Sequence, residues 1–236
     1  MTTRTTTGTA TITTELAVLL AWTSPAYPIG GFSYSHGIEA AVEAGLCGDR
    51  AGLVAYVETV LADGAGAVDG PLLAAAFRAA QAGDDAALDT VAELGAAWRG
   101  TAEAALESMQ QGGSFASVTV SAWPDPRFAA FAARHPKRLA HAVAFGAAAG
   151  FRGLDLSAAC SAFLSGFAAN LVSAGVRLVP LGQTDGQVAT AALAPAVARA
   201  AALALDTPLE RIGTAAPVLD WLGMTHETQY TRLFRS

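Results

Sequence analysis

The most regular pattern in the chain runs from Leu156 to Val176, where no charged residue occurs. Within it Ser157, Ser161, Ser165 and Ser173 recur at four-residue spacing, with Ala169 filling the gap and Asn170 beside it. On a helix that spacing gathers small polar groups into one stripe, which lets neighbouring helices approach closely. The stretch is long enough to span a bilayer. Ala and Gly, however, contribute far less to membrane insertion than Leu, Ile or Phe. The pattern therefore predicts a buried helix in a soluble protein, with no membrane span.

Most of the remaining sequence also reads as helix, with Gly, Pro and Asp as punctuation. A first helix is predicted from Thr14 to Thr23, stopped by Ser24-Pro25. A loop from Pro25 to Gly37 precedes a helix to Ala44, with Gly45 as its C-cap. Asp49, Asp69 and Asp84 each suit a helix start. Gly112-Gly113 and Trp123-Pro124-Asp125-Pro126 mark loops, and His135-Pro136 breaks helical continuity before a helix to Gly150. Asp155 or Ser157 opens the uncharged helix to Arg177. A break at Val179-Pro180-Leu181-Gly182 separates it from a helix to Leu205. Thr207-Pro208-Leu209-Glu210 has the form of a helix start, with Pro at the first position and Glu at the third. No run alternates with period two over a length that could build a sheet; Ser117 to Ala122 alone has strand flavour. The expectation is an all-α protein: a single-domain bundle of about ten helices spanning residues 14–223. A disordered Thr-rich tail at 1–13 and a flexible, partner-binding tail at 224–236 flank it.

Composition narrows the function. Hydrophobic residues make up 53% of the 236 and charged residues only 14%, well under the usual charged share of about 25%. That excludes a chain disordered throughout. The net charge of −6 argues against nucleic-acid binding, which calls for a basic face. Alanine dominates the sequence and Lys137 is its only lysine, so the mean hydropathy of +0.39 reflects residue bias and is discounted. Cys47 and Cys160 stand far apart in no metal-binding spacing. Two reduced thiols in a cytoplasmic protein are the default reading, with a single disulfide the alternative.

Catalytic signatures are sparse. There is no phosphate-binding Gly-rich loop, no dinucleotide fingerprint and no paired-His metal motif. His36, His135, His141 and His226 are scattered. Gly31-Phe32-Ser33-Tyr34-Ser35 resembles a nucleophile elbow but lacks the final Gly and a preceding strand. Glu39 and Glu43 lie one helical turn apart, a spacing typical of a solvated face. No catalytic residue, cofactor or metal is expected.

The polar residues concentrate in three stretches. The first, Pro28 to Glu39, holds two adjacent glycines, Gly30 and Gly31, which open backbone angles closed to other residues. Phe32, Tyr34 and a capping Ser35 follow, and Glu39 closes the stretch. The second, Arg177 to Gln187, places Arg177 at a helix C-terminus, where the dipole favours a cation, with Gln183 and Gln187 after the bend. The third, Met224 to Ser236, carries His226, Glu227, Tyr230, Arg232, Leu233, Phe234 and Arg235. Tyr and Arg are frequent interface anchors, so this aromatic-basic ending suits a segment that orders on a partner or packs back on its own bundle. A competing reading makes the protein a helical small-molecule binder or enzyme, with Ser33, Tyr34, His36 and Glu39 around a pocket.

Taken together, the stretches resemble the urease accessory protein UreF family. The resemblance rests on Ser24 to Ala40, on Glu107-Ser108-x-x-Gln111-Gly112, on Arg177 to Gln187 and on the ending His226 to Ser236, all in order along the chain. It implies an all-α, cytoplasmic homodimer that does no chemistry itself. Family members join UreD (UreH in some organisms) and the GTPase UreG in a complex that delivers nickel to apo-urease, whose active-site lysine is also carbamylated. It further implies that the C-terminal tail docks on UreD and that the dimer recruits UreG, with Arg177 in a structural or docking role.

Overall fold

The computed structural model describes the backbone of residues 7–236 and side chains from Thr14 onward. Among the described residues it is all-α: eleven helices and two 3-10 turns, with no strand. α1 (Thr7–Trp22) begins N-terminal to the predicted start at Thr14. Of the expected tail at 1–13, residues 1–6 lie outside the described residues and the rest belong to the first turns of α1. A 3-10 turn (Gly31–Ser33) leads to α2 (Ile38–Glu43). It is followed by α3 (Arg50–Ala62), α4 (Ala65–Ala82), α5 (Asp85–Ala97), α6 (Ala102–Ala122) and α7 (Pro126–Arg134). α8 (His141–Phe151), α9 (Leu156–Leu178), α10 (Gln183–Asp206), a second 3-10 turn (Leu209–Arg211) and α11 (Pro217–Glu227) complete the chain.

Local chemistry explains most boundaries. Asp49, Asp84, Thr101, Asp125 and Asp155 each accept a backbone N–H at the first turn of α3, α5, α6, α7 and α9. Past α2, Gly45 adopts φ 72° while its N–H bonds Val42 O and that of Leu46 bonds Ala41 O, the pattern of a Schellman stop.

Four expectations fail, each for a physical reason. Gly112-Gly113 is no loop but lies inside α6, because Gly112 touches the Leu139–His141 backbone: an added Cβ would meet Leu139 O at 1.9 Å. Ser117 to Ala122, the stretch with strand flavour, continues that helix; its β-branched residues turn one side inward, where Thr119 Oγ1 and Tyr27 Oη share a 2.8 Å hydrogen bond. Asp69 does not open a helix; it sits within α4 and binds Arg99 at 2.7 Å. Thr207 does not start a helix either, since its hydroxyl donates back to Leu203 O at the end of α10. The chain then runs to Ala215, whose N–H reaches Asp63 O at the end of α3.

α4 and α8 form the most intimate pair, and α6, α5 and α9 pack around them. The pair meets backbone to backbone: a Cβ at Gly146 or Gly150 of α8 would stand 2.3 Å from Leu73 O or Phe77 O of α4. An aromatic cluster fills the adjoining space. Trp22 of α1 meets Phe115 edge-on at 5.3 Å and Phe145 at 5.4 Å, and Phe163 meets Phe145 at 5.4 Å. α9 and α10 are long and apolar enough to cross a membrane by length and composition. Here α9 packs on α3, α8 and α10, which covers its inner face with protein. Cys47 and Cys160 are free, buried thiols whose pKa burial raises, to about 12 for Cys160.

Candidate functional site: the C-terminal strap

The chain from Thr228 to Ser236 leaves α11 and folds back over α2, α6 and the loop before α2 as a strap. Two backbone contacts set its course: Arg235 N–H donates to Ser33 O at 2.9 Å and Ser35 N–H to Ser236 O at 2.8 Å. Ser35 is wholly buried and its hydroxyl also donates to Ser236 O. The loop reaches this position through two left-handed glycines, Gly30 (φ 77°) and Gly37 (φ 80°). Gly31 has ordinary φ, so its restriction is proximity: a Cβ there would lie 2.7 Å from Asn170 Nδ2.

Glu39 is the centre of the attachment. Its buried carboxylate accepts Leu233 N–H at 2.7 Å and Phe234 N–H at 2.9 Å, one on each oxygen. Oε2 also lies 3.2 Å from His226 Nε2. The other ring nitrogen of His226, itself fully buried, lies 2.6 Å from Glu103 Oε2, and the second Glu103 oxygen accepts from Arg232. A chain of alternating acidic and basic side chains thus links α2, α11, α6 and the strap. Buried groups joined in this way are held by mutual charge-assisted bonds.

A second cluster secures the end of the strap. Ser236 Oγ donates to Glu107 Oε2 at 2.7 Å, Gln111 Nε2 donates to Glu107 Oε1 at 3.1 Å, and His36 Nδ1 stands 3.5 Å from Glu107. Burial pushes the Glu107 carboxyl up, but His36 and Ser236 outweigh it and hold it below the usual range, so it is ionised. Tyr34 donates to Gln110, and burial raises its phenol pKa. Arg235 Nη1 reaches the same Gln110 oxygen at 3.4 Å. Arg177 donates to Phe32 O at 2.8 Å and covers the Phe234 ring at 4.3 Å. Burial lowers its pKa.

The three polar stretches converge only in part. Gly30, Gly31, Phe32, Tyr34, Ser35, Glu39, Arg177, His226, Arg232, Leu233, Phe234 and Arg235 all belong to this one assembly. Glu227 serves it indirectly: its carboxylate accepts Ala102 N–H at 2.9 Å and caps α6. Tyr230 is fully exposed, and Leu233 (65%) and Phe32 (69%) are largely so. Gln183 and Gln187 stand apart, exposed on the first turns of α10, where Asp185 binds Arg50. The tail expected to be flexible is docked, the self-packing outcome left open by its composition. Glu103, Glu107 and Gln110 were missing from the predicted set. Their signal was spacing on α6, where positions 103, 107 and 110 share one helical face.

The pocket required by the small-molecule reading has a counterpart, a cavity of about 300 Å³ under the loop. Of Ser33, Tyr34, His36 and Glu39, only His36 lines it. Among the described residues no group of three or more His, Cys, Asp or Glu is arranged to hold a metal ion.

The sequence profile of the UreF family matches residues 47–194. The chain is 61% identical over 218 residues to a urease accessory protein UreF of Granulibacter bethesdensis, covering 92% of each chain. It is 44% identical over 227 residues to one from Rhodopseudomonas palustris strain BisA53, covering 96% of this chain and 95% of the relative. Against one from Methylobacterium sp. strain 4-46 the identity is 45% over 219 residues, covering 93% and 88%.

Proposed function

The chain belongs to the UreF family of urease accessory proteins, and from that membership we propose that it is a non-enzymatic scaffold in urease maturation. In this reading it works in the cytoplasm as a homodimer. It bridges UreD (UreH) and the GTPase UreG so that nickel, the cargo, reaches apo-urease. It needs no cofactor of its own.

The observation that carries this reading is the strap. Its backbone N–H groups, Arg232 and Ser236 are tied to Glu39, Glu103 and Glu107, while the Leu233 and Tyr230 side chains are exposed, as is Phe32 of the loop. Exposed aromatic and aliphatic side chains on a fixed backbone cost little entropy when a partner covers them. Arg177 and Arg235 add charge at the rim, and their hydrogen bonds go to neutral acceptors. UreD is the proposed occupant of this face. UreG is proposed to dock elsewhere on the dimer, with exposed Gln183 and Gln187 as candidate contacts.

The test is co-purification of the full chain, and of a chain ending at Thr228, with cognate UreD and then UreG. Size exclusion with mass determination reads the outcome. The full chain should form a ternary species and the shortened chain should lose UreD while staying folded. A shortened chain that binds UreD with full affinity, or a full chain that stays alone beside two folded partners, would overturn the proposal.

A further inference from the structure

The cavity under the Gly30–Gly37 loop carries chemistry that the strap does not use. Among the described residues, four buried side-chain polar atoms have no hydrogen-bond partner: Trp22 Nε1, Arg99 Nε, His141 Nε2 and Gln229 Oε1. Three of the four residues, Trp22, Arg99 and His141, line this one cavity. A buried donor without an acceptor is costly, so their gathering around one space of about 300 Å³ marks it as built for an occupant.

The unused atoms define that occupant. Indole Nε1–H and guanidinium Nε–H can only donate, so they require acceptors. Of the four wall carboxylates, which a cation would need, Asp69, Glu103 and Glu107 already have donors, and among the described residues Asp220 at the α11 side is the one without. Asp69 takes Arg99 Nη2 at 2.7 Å, Glu103 takes His226 and Arg232, and Glu107 takes Ser236 and Gln111. Asp69 and Glu103 stand beside Arg99 and Arg232, which offset their repulsion of an anion, and Glu107 faces His36. Arg99 commits Nη2 to Asp69 and Ser108 but keeps a free Nε edge, with its side chain 8% exposed. Phe145, Phe163 and Tyr27 complete the wall with apolar surface.

We propose that this cavity is a binding site for a small planar oxyanion of the carboxylate or carbonate class, held by the Trp22 indole N–H and the Arg99 Nε–H. His141 completes the site. Burial keeps its ring neutral, its pKa pulled down to about 4, so its Nε2 can donate to a carboxylate oxygen or accept from the hydroxyl of a bicarbonate. The site needs no partner protein and is independent of the scaffold reading.

The test follows the indole N–H signals of the ¹⁵N-labelled full chain. Trp22 is assigned with Trp22→Phe. Sodium acetate and sodium bicarbonate are titrated separately against sodium chloride at matched ionic strength. The expected result is a saturable shift of the Trp22 signal with acetate, bicarbonate or both, and none with chloride. Which salt acts separates a carboxylate from a carbonate ligand. Arg99→Lys keeps the charge beside Asp69 but lacks the planar N–H edge, and is expected to weaken binding by about tenfold. No saturable Trp22 shift with either salt, an equal shift with chloride, or unchanged affinity in a folded Arg99→Lys would overturn the proposal. If Arg99→Lys does not fold, the wild-type titration decides alone.

Discussion

Replacing Glu39 with Gln is the sharpest perturbation of the strap. The carboxylate receives two backbone N–H groups at 2.7 and 2.9 Å, one per oxygen, in a buried setting. Glutamine offers one oxygen and turns an NH₂ donor toward the other N–H. A buried hydrogen bond to a charged group is worth about 1.5–3 kcal/mol, and an orphaned donor costs a similar amount. The loss of strap docking is therefore about 3 kcal/mol, which at 1.36 kcal/mol per decade is about a 100-fold drop in the docking constant. Amide hydrogen exchange measures it directly. Leu233 and Phe234 should lose protection by about that factor. Amides in the middle of α4 and α8, far from the strap, should change little because opening is local. Unchanged protection at Leu233 and Phe234 would refute the assignment of Glu39 as the anchor. An equal loss across the whole bundle would show that the strap and the core open together.

Three further outcomes are expected. Gly112→Ala places a methyl 1.9 Å from Leu139 O, a backbone atom that cannot swing aside; chemical denaturation should show a loss above about 3 kcal/mol, among the larger single-residue effects. Arg177→Ala removes the cation over Phe234 and the bond to Phe32 O, and should weaken UreD binding by up to about tenfold with the bundle's melting temperature unchanged. His141 has a folded pKa depressed to about 4 from 6.5, so the unfolded chain takes up a proton first as pH falls. Its contribution is intact above about pH 6.5 and declines by up to about 3 kcal/mol as pH approaches 4. Denaturation of His141→Gln should therefore be less sensitive than the wild type across that window, and identical slopes would exclude His141 as a source.

Much of the fold was legible because its signals are local. Asp49, Asp84 and Asp155 announce helices through the same hydrogen bonds the structure contains, and Gly45 ends α2 as its residue type suggests. The misreadings at Gly112-Gly113 and Thr207 share a cause. Glycine serves both turns and close helix contacts, and a Thr hydroxyl can cap either the helix ahead or the one behind; only tertiary context decides. The site was legible as residue types but not as geometry. Glu39 and His226 stood out in their stretches, whereas their meeting depends on a chain reversal after α11 separated from α2 by most of the sequence. Glu103 escaped notice, and Glu107 was read only as part of a family motif and not as a site residue, because an acidic helix face looks the same whether it meets water or another segment. Gln183 and Gln187 looked alike to the rest of their stretch, but the bend after α9 turns them away.

The backbone-to-backbone meeting of α4 and α8 has a thermal consequence. Glycine and alanine carry no rotamers to lose, so the Gly146, Gly150 and Ala positions of this seam add no side-chain entropy cost. The strap attachment is the opposite: Glu39, Glu103, Arg177 and Arg232 are long side chains, each giving up as much as about 2 kcal/mol of rotameric freedom at room temperature when fixed. That cost grows in proportion to temperature. Warming is therefore expected to loosen the strap before it disturbs the bundle, giving an open-ended form while the helices remain folded.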